Sequence, residues 1–232
     1  MSATVISSAA IGAPGLQSTQ LLDLVCGGIL LTAVLILWRR ELSSIVRLLA
    51  LQGAFIAGLA ALVGSAEGGV APYLVALGVL VLKAFAIPAV LRRVLADSGE
   101  ARETEPLVNV SASLLAAALL TLLAYVVSQP LVALAPSAAT RALPVGVAVV
   151  LLGFFVLVTR RRALSQVVGF LLLDNGIATT AFLAASGVPL VVELGVSLDV
   201  LLVVLVLQIL AARMRMTFGG TDLDELNELR DR

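Results

Sequence analysis

Long runs of Leu, Val, Ala and Ile, interrupted by short polar links, recur along the chain. A helix that crosses a membrane needs about 17–25 mainly apolar residues. Seven stretches reach that length: about 20–38, 43–64, 70–91, 107–127, 143–159, 164–186 and 189–212. An open sheet would leave backbone groups unsatisfied in lipid, so each stretch reads as a helix. The expected fold class is therefore all-α, a polytopic membrane protein with seven transmembrane helices.

The polar positions between these runs set a direction. Arg39, Arg40 and Arg47 flank the first link; Arg92, Arg93 and Arg102 fall in the third, and Arg160, Arg161 and Arg162 in the fifth. Arg213, Arg215, Arg230 and Arg232 follow the last run. The second and sixth links carry no basic residue, and the fourth carries Arg141 alone. Basic links thus alternate with non-basic ones. The positive-inside rule then places the N-terminus outside and the C-terminus in the cytoplasm, which requires an odd number of spans.

Composition agrees with this pattern. The 232 residues are 60% hydrophobic and 13% charged, above the roughly 45–50% apolar share of soluble domains. Net charge is zero, which argues against a nucleic-acid partner. The chain has no histidine and one cysteine, Cys26. That removes the usual ligands for zinc, haem and iron–sulfur clusters and excludes an internal disulfide. No cofactor is expected in this chain, and it reads as non-catalytic, with any electrons carried by other subunits. Residues 1–19 hold no basic residue ahead of the first apolar run, so they read as a retained tail rather than a signal peptide.

An internal repeat organises the runs. Arg39-Arg40-Glu41-Leu42-Ser43-Ser44-Ile45-Val46 recurs as Arg161-Arg162-Ala163-Leu164-Ser165-Gln166-Val167-Val168, and in the same register Gln52 falls on Asp174. Pro72 and Leu77-Gly78-Val79 recur as Pro189 and Leu194-Gly195-Val196. Two directly fused three-helix copies would insert in opposite senses, and the fourth helix corrects this. The expectation is two parallel three-helix repeats, 20–95 and 143–212, related by an axis along the membrane normal. A cytoplasmic loop, 96–106, a linking helix, 107–127, and an acidic cytoplasmic tail, 213–232, complete the chain. In that tail Thr221 can cap a short helix whose stripe is Leu223, Leu226 and Leu229.

Four ionisable residues inside the apolar runs stand out, Lys83, Asp174, Glu193 and Asp199, while Asp23 lies at the outer rim of the first run and Arg47 beside the first link. A charge at mid-span costs roughly 2.5–3.5 kcal/mol on insertion scales, so it needs a partner, a wet cavity or a function. Asp174 and Asp199 stand near mid-membrane in the second copy, Lys83 in the first, and Glu193 nearer the outer face. Gly53, Gly58, Gly146 and Gly169 are expected to be close-packing sites. Pro88 is expected to kink or end its helix, Trp38 to anchor an interface, and Arg160 to Arg162 to set topology and meet lipid phosphates.

The segment Gly169-Phe170-Leu171-Leu172-Leu173-Asp174-Asn175-Gly176-Ile177 resembles the second helix of the K (4L-type) subunit of complex I and of the C subunit of Mrp-type antiporters. A stronger likeness is to the hydrogenase-4 component E family, a membrane subunit of group 4 [NiFe] hydrogenase and formate hydrogenlyase-like complexes. It rests on Asp174-Asn175-Gly176-Ile177, on the run from Gly187 to Val200 that contains Glu193 and Asp199, and on Phe218-Gly219-Gly220-Thr221-Asp222. It is specific from 161 to 225 and loose in the first four helices. K-type subunits carry a functional glutamate where this chain has Leu171; Asp174 lies one turn later on the same face. The resemblance implies a bacterial or archaeal cytoplasmic (inner) membrane location. It also implies antiporter-like and quinone- or hydrogenase-module subunits as partners.

The charged residues support three functional readings. In the first, Lys83, Asp174, Glu193 and Asp199 relay protons in a complex I-like redox assembly, because desolvation lets buried acids and amines exchange protons near neutral pH. In the second, Lys83 pairs with Asp174 or Asp199 and only locks the repeats together in a bridging subunit. The third is a small secondary transporter, for which no Gly/Pro-broken helix pair at the midplane gives support.

Overall fold

The computed structural model describes residues 14–65, 69–98, 109–160 and 163–185. The expected seventh span, with Glu193 and Asp199, lies outside these residues, as do the 213–232 tail and most of the 96–106 loop. The described residues form helices and no sheet. Helix α1 covers Pro14–Trp38 and α2 covers Leu42–Gly64. Helix α3, Ala71–Val79, runs without a break through a π-helical segment, Leu80–Ala86, into α4, Ile87–Ser98. Then come α5, Val110–Leu134, the single turn α6, Ala138–Arg141, α7, Leu143–Thr159, and α8, Ala163–Ala185.

Six of these helical stretches are long and apolar enough to cross a membrane: Ser18–Trp38, Leu42–Gly64, Ala71–Ala96, Val110–Leu134, Ala138–Thr159 and Leu164–Ala184. Their ends follow local chemistry. The Asn109 side chain caps α5 by accepting from the Ala112 N–H at 2.9 Å. Ser137 and Thr140 form a capping box on α6, each side chain accepting from the other's backbone N–H, a turn that hydrophobicity alone does not reveal. Two expected boundaries move. The third span does not end at 91, and Pro88 does not terminate it; it continues to Ser98, so Arg92 and Arg93 sit on its exposed last turns rather than in the link. The fourth runs through Pro130 to Leu134 instead of stopping at 127, since an apolar helix tolerates one lost backbone bond better than an unfolded end.

Helix α2 is the hub. It packs against α1, the whole α3–π–α4 helix and α8. Helix α8 packs on α7, and α1 touches both α7 and α5. The α7–α8 contact is close because glycines seven residues apart face it from both sides. A β-carbon at Gly153 would stand 2.5 Å from the Leu173 nitrogen, and one at Gly169 2.8 Å from the Leu157 nitrogen. Gly146 and Gly176 meet the backbones of Thr180 and Val150 in the same way. Small residues let backbones approach where lipid supplies no hydrophobic drive between helices. Gly58 departs from that expectation: its nearest neighbour would be Val25 Cγ2 at 3.9 Å, an ordinary contact. Helix α5 is peripheral, and its large side chains Leu115, Leu119, Leu122 and Val126 are exposed, as on a helix that meets lipid.

Candidate functional site: a buried charge layer at mid-span

Asp174 stands at the centre of Leu164–Ala184, and Lys83 at the centre of Ala71–Ala96. Gln52 is ten residues after Leu42 in a span ending at Gly64. With a rise of about 1.5 Å per residue, all three lie roughly 15–20 Å from their helix ends. Three elements thus deliver polar groups to one level of an otherwise apolar bundle.

The structure joins them. Lys83 Nζ contacts Asp174 Oδ2 at 2.5 Å, and the two residues are only 3% and 4% exposed. Lys83 Nζ also donates to Asn175 Oδ1 at 3.2 Å. Asn175 Nδ2 donates to Gln52 Oε1 at 2.8 Å, and Gln52 Nε2 donates to the Ile29 carbonyl at 3.1 Å. An ammonium can only donate. It therefore fixes the Asn175 amide with its oxygen toward Lys83, which turns the Asn175 nitrogen to Gln52 and the Gln52 nitrogen to Ile29. The chain of donors runs one way and ends on a backbone oxygen of α1, which also accepts from Thr32 Oγ1 at 2.9 Å. Thr179 closes the α8 side by donating to the Asn175 carbonyl at 2.7 Å. A buried charge pair that is directly bonded and hydrogen-bonded onward avoids most of the cost of a lone buried ion.

Lys83 reaches this position through local backbone geometry. It lies in the π segment, where the Ile87 N–H reaches back five residues to the Leu82 carbonyl. The next residue, Pro88, has no N–H to offer. The wider turn absorbs it, and π segments of this kind often mark functional positions. Gly53 completes the fit. A β-carbon there would lie 2.7 Å from the Lys83 carbonyl carbon and 2.8 Å from its oxygen, so only glycine lets α2 approach the lysine backbone.

Of the four ionisable residues expected in the membrane, Lys83 and Asp174 meet, while Glu193 and Asp199 lie outside the described residues. Gln52 and Asn175 join the site without being singled out by charge. The signal in the sequence is their place: an amide at the centre of a span needs partners as much as a charge does. Leu171 and its counterpart Leu49 are buried hydrophobic residues, and both belong to the apolar core.

With this geometry in hand, likenesses to known proteins become informative. The chain is 50% identical to the Mycobacterium tuberculosis protein Rv0085, described as uncharacterized, over 212 residues that cover 91% of this chain and 96% of that one. It is 34% identical to hydrogenase-4 component E of Escherichia coli over 116 residues, half of this chain and 54% of the relative. The same component of Shigella flexneri matches equally. No family model matches the chain, and no solved structure matches it.

Proposed function

We propose that this chain, which belongs to one family with the Mycobacterium tuberculosis protein Rv0085, is an integral membrane subunit of a hydrogenase-type, complex I-like assembly. In this reading it contributes buried charges to proton or ion movement driven by redox chemistry in other subunits. The observation that carries the proposal is the Lys83–Asp174 contact at mid-span, tied through Asn175 to Gln52. Ionisable residues buried at mid-span are costly to insert and characteristically mark proton or ion paths, and Lys83 and Asp174 bring an amine and a carboxylate into direct contact there. Partial likeness to hydrogenase-4 component E supports the assembly. With no histidine and one cysteine, the chain itself is assigned no cofactor and no catalytic step.

The finer arrangement belongs to the same proposal. The alternating arginines support seven spans with the N-terminus outside, and the partial likeness to hydrogenase-4 component E supports a cytoplasmic (inner) membrane. Contacts of α1 with α7 and of α2 with α8 support two parallel repeats, because equivalent helices meet across an axis along the membrane normal. By sequence position, Asp199 in the proposed seventh span would stand at the level of this charged layer and Glu193 nearer the outer face.

A second reading is favoured by the same short contact. Lys83 on the first copy and Asp174 on the second form a direct tie between the halves, so the pair can act as a staple in a bridging subunit. Copurification in mild detergent tests the assembly: large antiporter-like subunits and a hydrogenase or quinone-linked arm are expected, and their absence refutes it. Proton translocation by that complex, with Lys83→Met or Asp174→Asn, tests the relay; unchanged translocation with normal assembly refutes it.

A further inference from the structure

A second polar site lies at the arginine-bearing end of the bundle, about 13–14 Å along α8 from Asp174. Ser165 is 3% exposed, and its hydroxyl oxygen has no hydrogen-bond partner among the described residues. A small cleft meets this hydroxyl, walled by Ile36 of α1, Leu42 and Ile45 of α2, Val156 of α7 and Val168 of α8. Arg160, which directly follows α7 and is 8% exposed, completes the lining. The space is the size of one water molecule.

The local sequence explains why this serine stands apart. In Arg39-Arg40-Glu41-Leu42-Ser43, the Ser43 hydroxyl donates to Glu41 Oε1 at 2.5 Å. In the recurring motif, Arg161-Arg162-Ala163-Leu164-Ser165, alanine stands where that acceptor was. A helical hydroxyl can otherwise donate to the carbonyl one turn back, as Thr159 and Thr179 do. Helix α8 begins at Ala163, so Ser165 has no helical carbonyl four residues behind it. It is buried nonetheless, because α8 packs on α7 and α2. A buried hydroxyl left unpaired is destabilising, and proteins commonly answer such groups with bound water.

We infer that this cleft binds one structural water molecule, held between the Ser165 hydroxyl and Arg160. The hydroxyl can donate to the water or accept from it, and the guanidinium donates. Arg160 carries five N–H groups, so it serves the water alongside its other bonds. Gln166 Nε2 donates to the Arg160 carbonyl at 3.3 Å, which fixes Arg160 against the first turn of α8. Burial, and then the positive charge of Arg40, lower the Arg160 pKa, so a hydrating oxygen favours the charged form. Other occupants fit worse. A phosphate or a lipid headgroup exceeds the space, a metal cation meets the arginine charge, and an apolar group leaves the hydroxyl unanswered. The water ties α8 to the end of α7 at the seam with α1 and α2. Val168, Leu171 and Leu172 are buried between it and Asp174, so it belongs to this end of the bundle, and the inference does not rest on the proposed relay.

Crystals of the full chain grown from a lipidic mesophase, at a resolution that shows ordered water, test this directly. One density peak is expected within about 2.5–3.2 Å of both Ser165 Oγ and an Arg160 nitrogen. Ser165→Ala should lose the peak and lower the melting temperature by about 2–4 °C, because the water leaves with its anchor. A dry hydroxyl gives the opposite sign: alanine then removes an unsatisfied group and is the better helix former, so the melting temperature rises. Ser165→Ala melting at or above the parent therefore overturns the inference. A parent map in which Ser165 Oγ has no such peak, or bonds to a protein atom instead, overturns it as well, and that map is decisive whether or not the variant folds.

Discussion

Asn175 donates to the Gln52 carbonyl oxygen across 2.8 Å, joining α8 to α2 near the midpoint of both helices. Gln52 is fully buried and commits its nitrogen to the Ile29 carbonyl. Replacing it with leucine leaves the Asn175 nitrogen without this acceptor in an apolar layer. Gln52→Leu is therefore expected to cost about 1–3 kcal/mol, measured by unfolding in mixed detergent micelles. Gln52→Glu should be milder in its neutral form, which an apolar layer favours: its carbonyl oxygen still accepts from Asn175 and its hydroxyl can donate to the Ile29 carbonyl. Equal losses for the two variants would refute the assigned direction of the amide chain.

Lys83 and Asp174 separate the relay from the staple. Removing one partner leaves an uncompensated buried charge, so Lys83→Met or Asp174→Leu alone should destabilise the chain by about 3–5 kcal/mol. The double replacement should recover most of that loss, because a well-packed apolar pair is often as stable as a buried ion pair. Folding and assembly are then expected to return in the double variant while proton translocation by the complex does not. Recovery of both would reduce the pair to a staple.

Much of this architecture is legible in the chain because lipid imposes strong rules. Span number up to the sixth, and most helix ends, follow from hydrophobic run length. The α1 end at Trp38 and the α7 end at Thr159 coincide with the arginines that follow them. Lys83 and Asp174 stand out because charge in an apolar run is costly. Other features escape because their causes are three-dimensional. The π segment arises from Pro88 together with the space that Gly53 leaves, thirty-five positions earlier. The Ser137–Thr140 capping box is written in two ordinary hydroxyl residues between apolar runs. Asn175 reads in the sequence as part of a family motif; only the Lys83 ammonium beside it fixes its amide.

Gly53 keeps α2 against the lysine backbone, so its replacement should act on the charge layer. With a β-carbon 2.7 Å from the Lys83 carbonyl carbon, backbone rather than a flexible side chain must yield. Gly53→Ala is expected to cost about 1–3 kcal/mol, the usual range for overpacking. The loss should shrink in a Lys83→Met, Asp174→Leu background, where no ion pair must hold its geometry. A coupling below about 0.5 kcal/mol in that cycle would show the two to be independent.

Pro88 offers a backbone route to the same pair. Pro88→Ala restores an N–H, and the Leu80–Ala86 segment can then return to α-helical pitch. Losing one residue of π register rotates α3 by about 100° relative to α4. Lys83 would turn away from Asp174. Pro88→Ala should thus destabilise the chain despite alanine's better helix propensity, and the effect should vanish once Asp174 is already leucine. A stabilising Pro88→Ala would show that the π turn does not position the lysine.

Glycine is not uniformly required in the bundle, and two positions give opposite expectations for one substitution. At Gly153 a β-carbon would come within 2.5 Å of the Leu173 nitrogen on α8, with the Leu173 α-carbon at 2.6 Å. Helix backbone cannot give way without separating α7 from α8, so Gly153→Ala is expected to cost about 1–3 kcal/mol. At Gly58 the nearest atom would be Val25 Cγ2, at a comfortable 3.9 Å. There alanine adds contact and removes backbone freedom from the unfolded chain, so Gly58→Ala should stabilise by about 0.4–1 kcal/mol. Thermal unfolding of the two variants in one detergent compares them directly. A destabilised Gly58→Ala, or a neutral Gly153→Ala, would mean that the α1–α2 and α7–α8 separations differ from those described, and with them the level at which Asp174 meets Lys83.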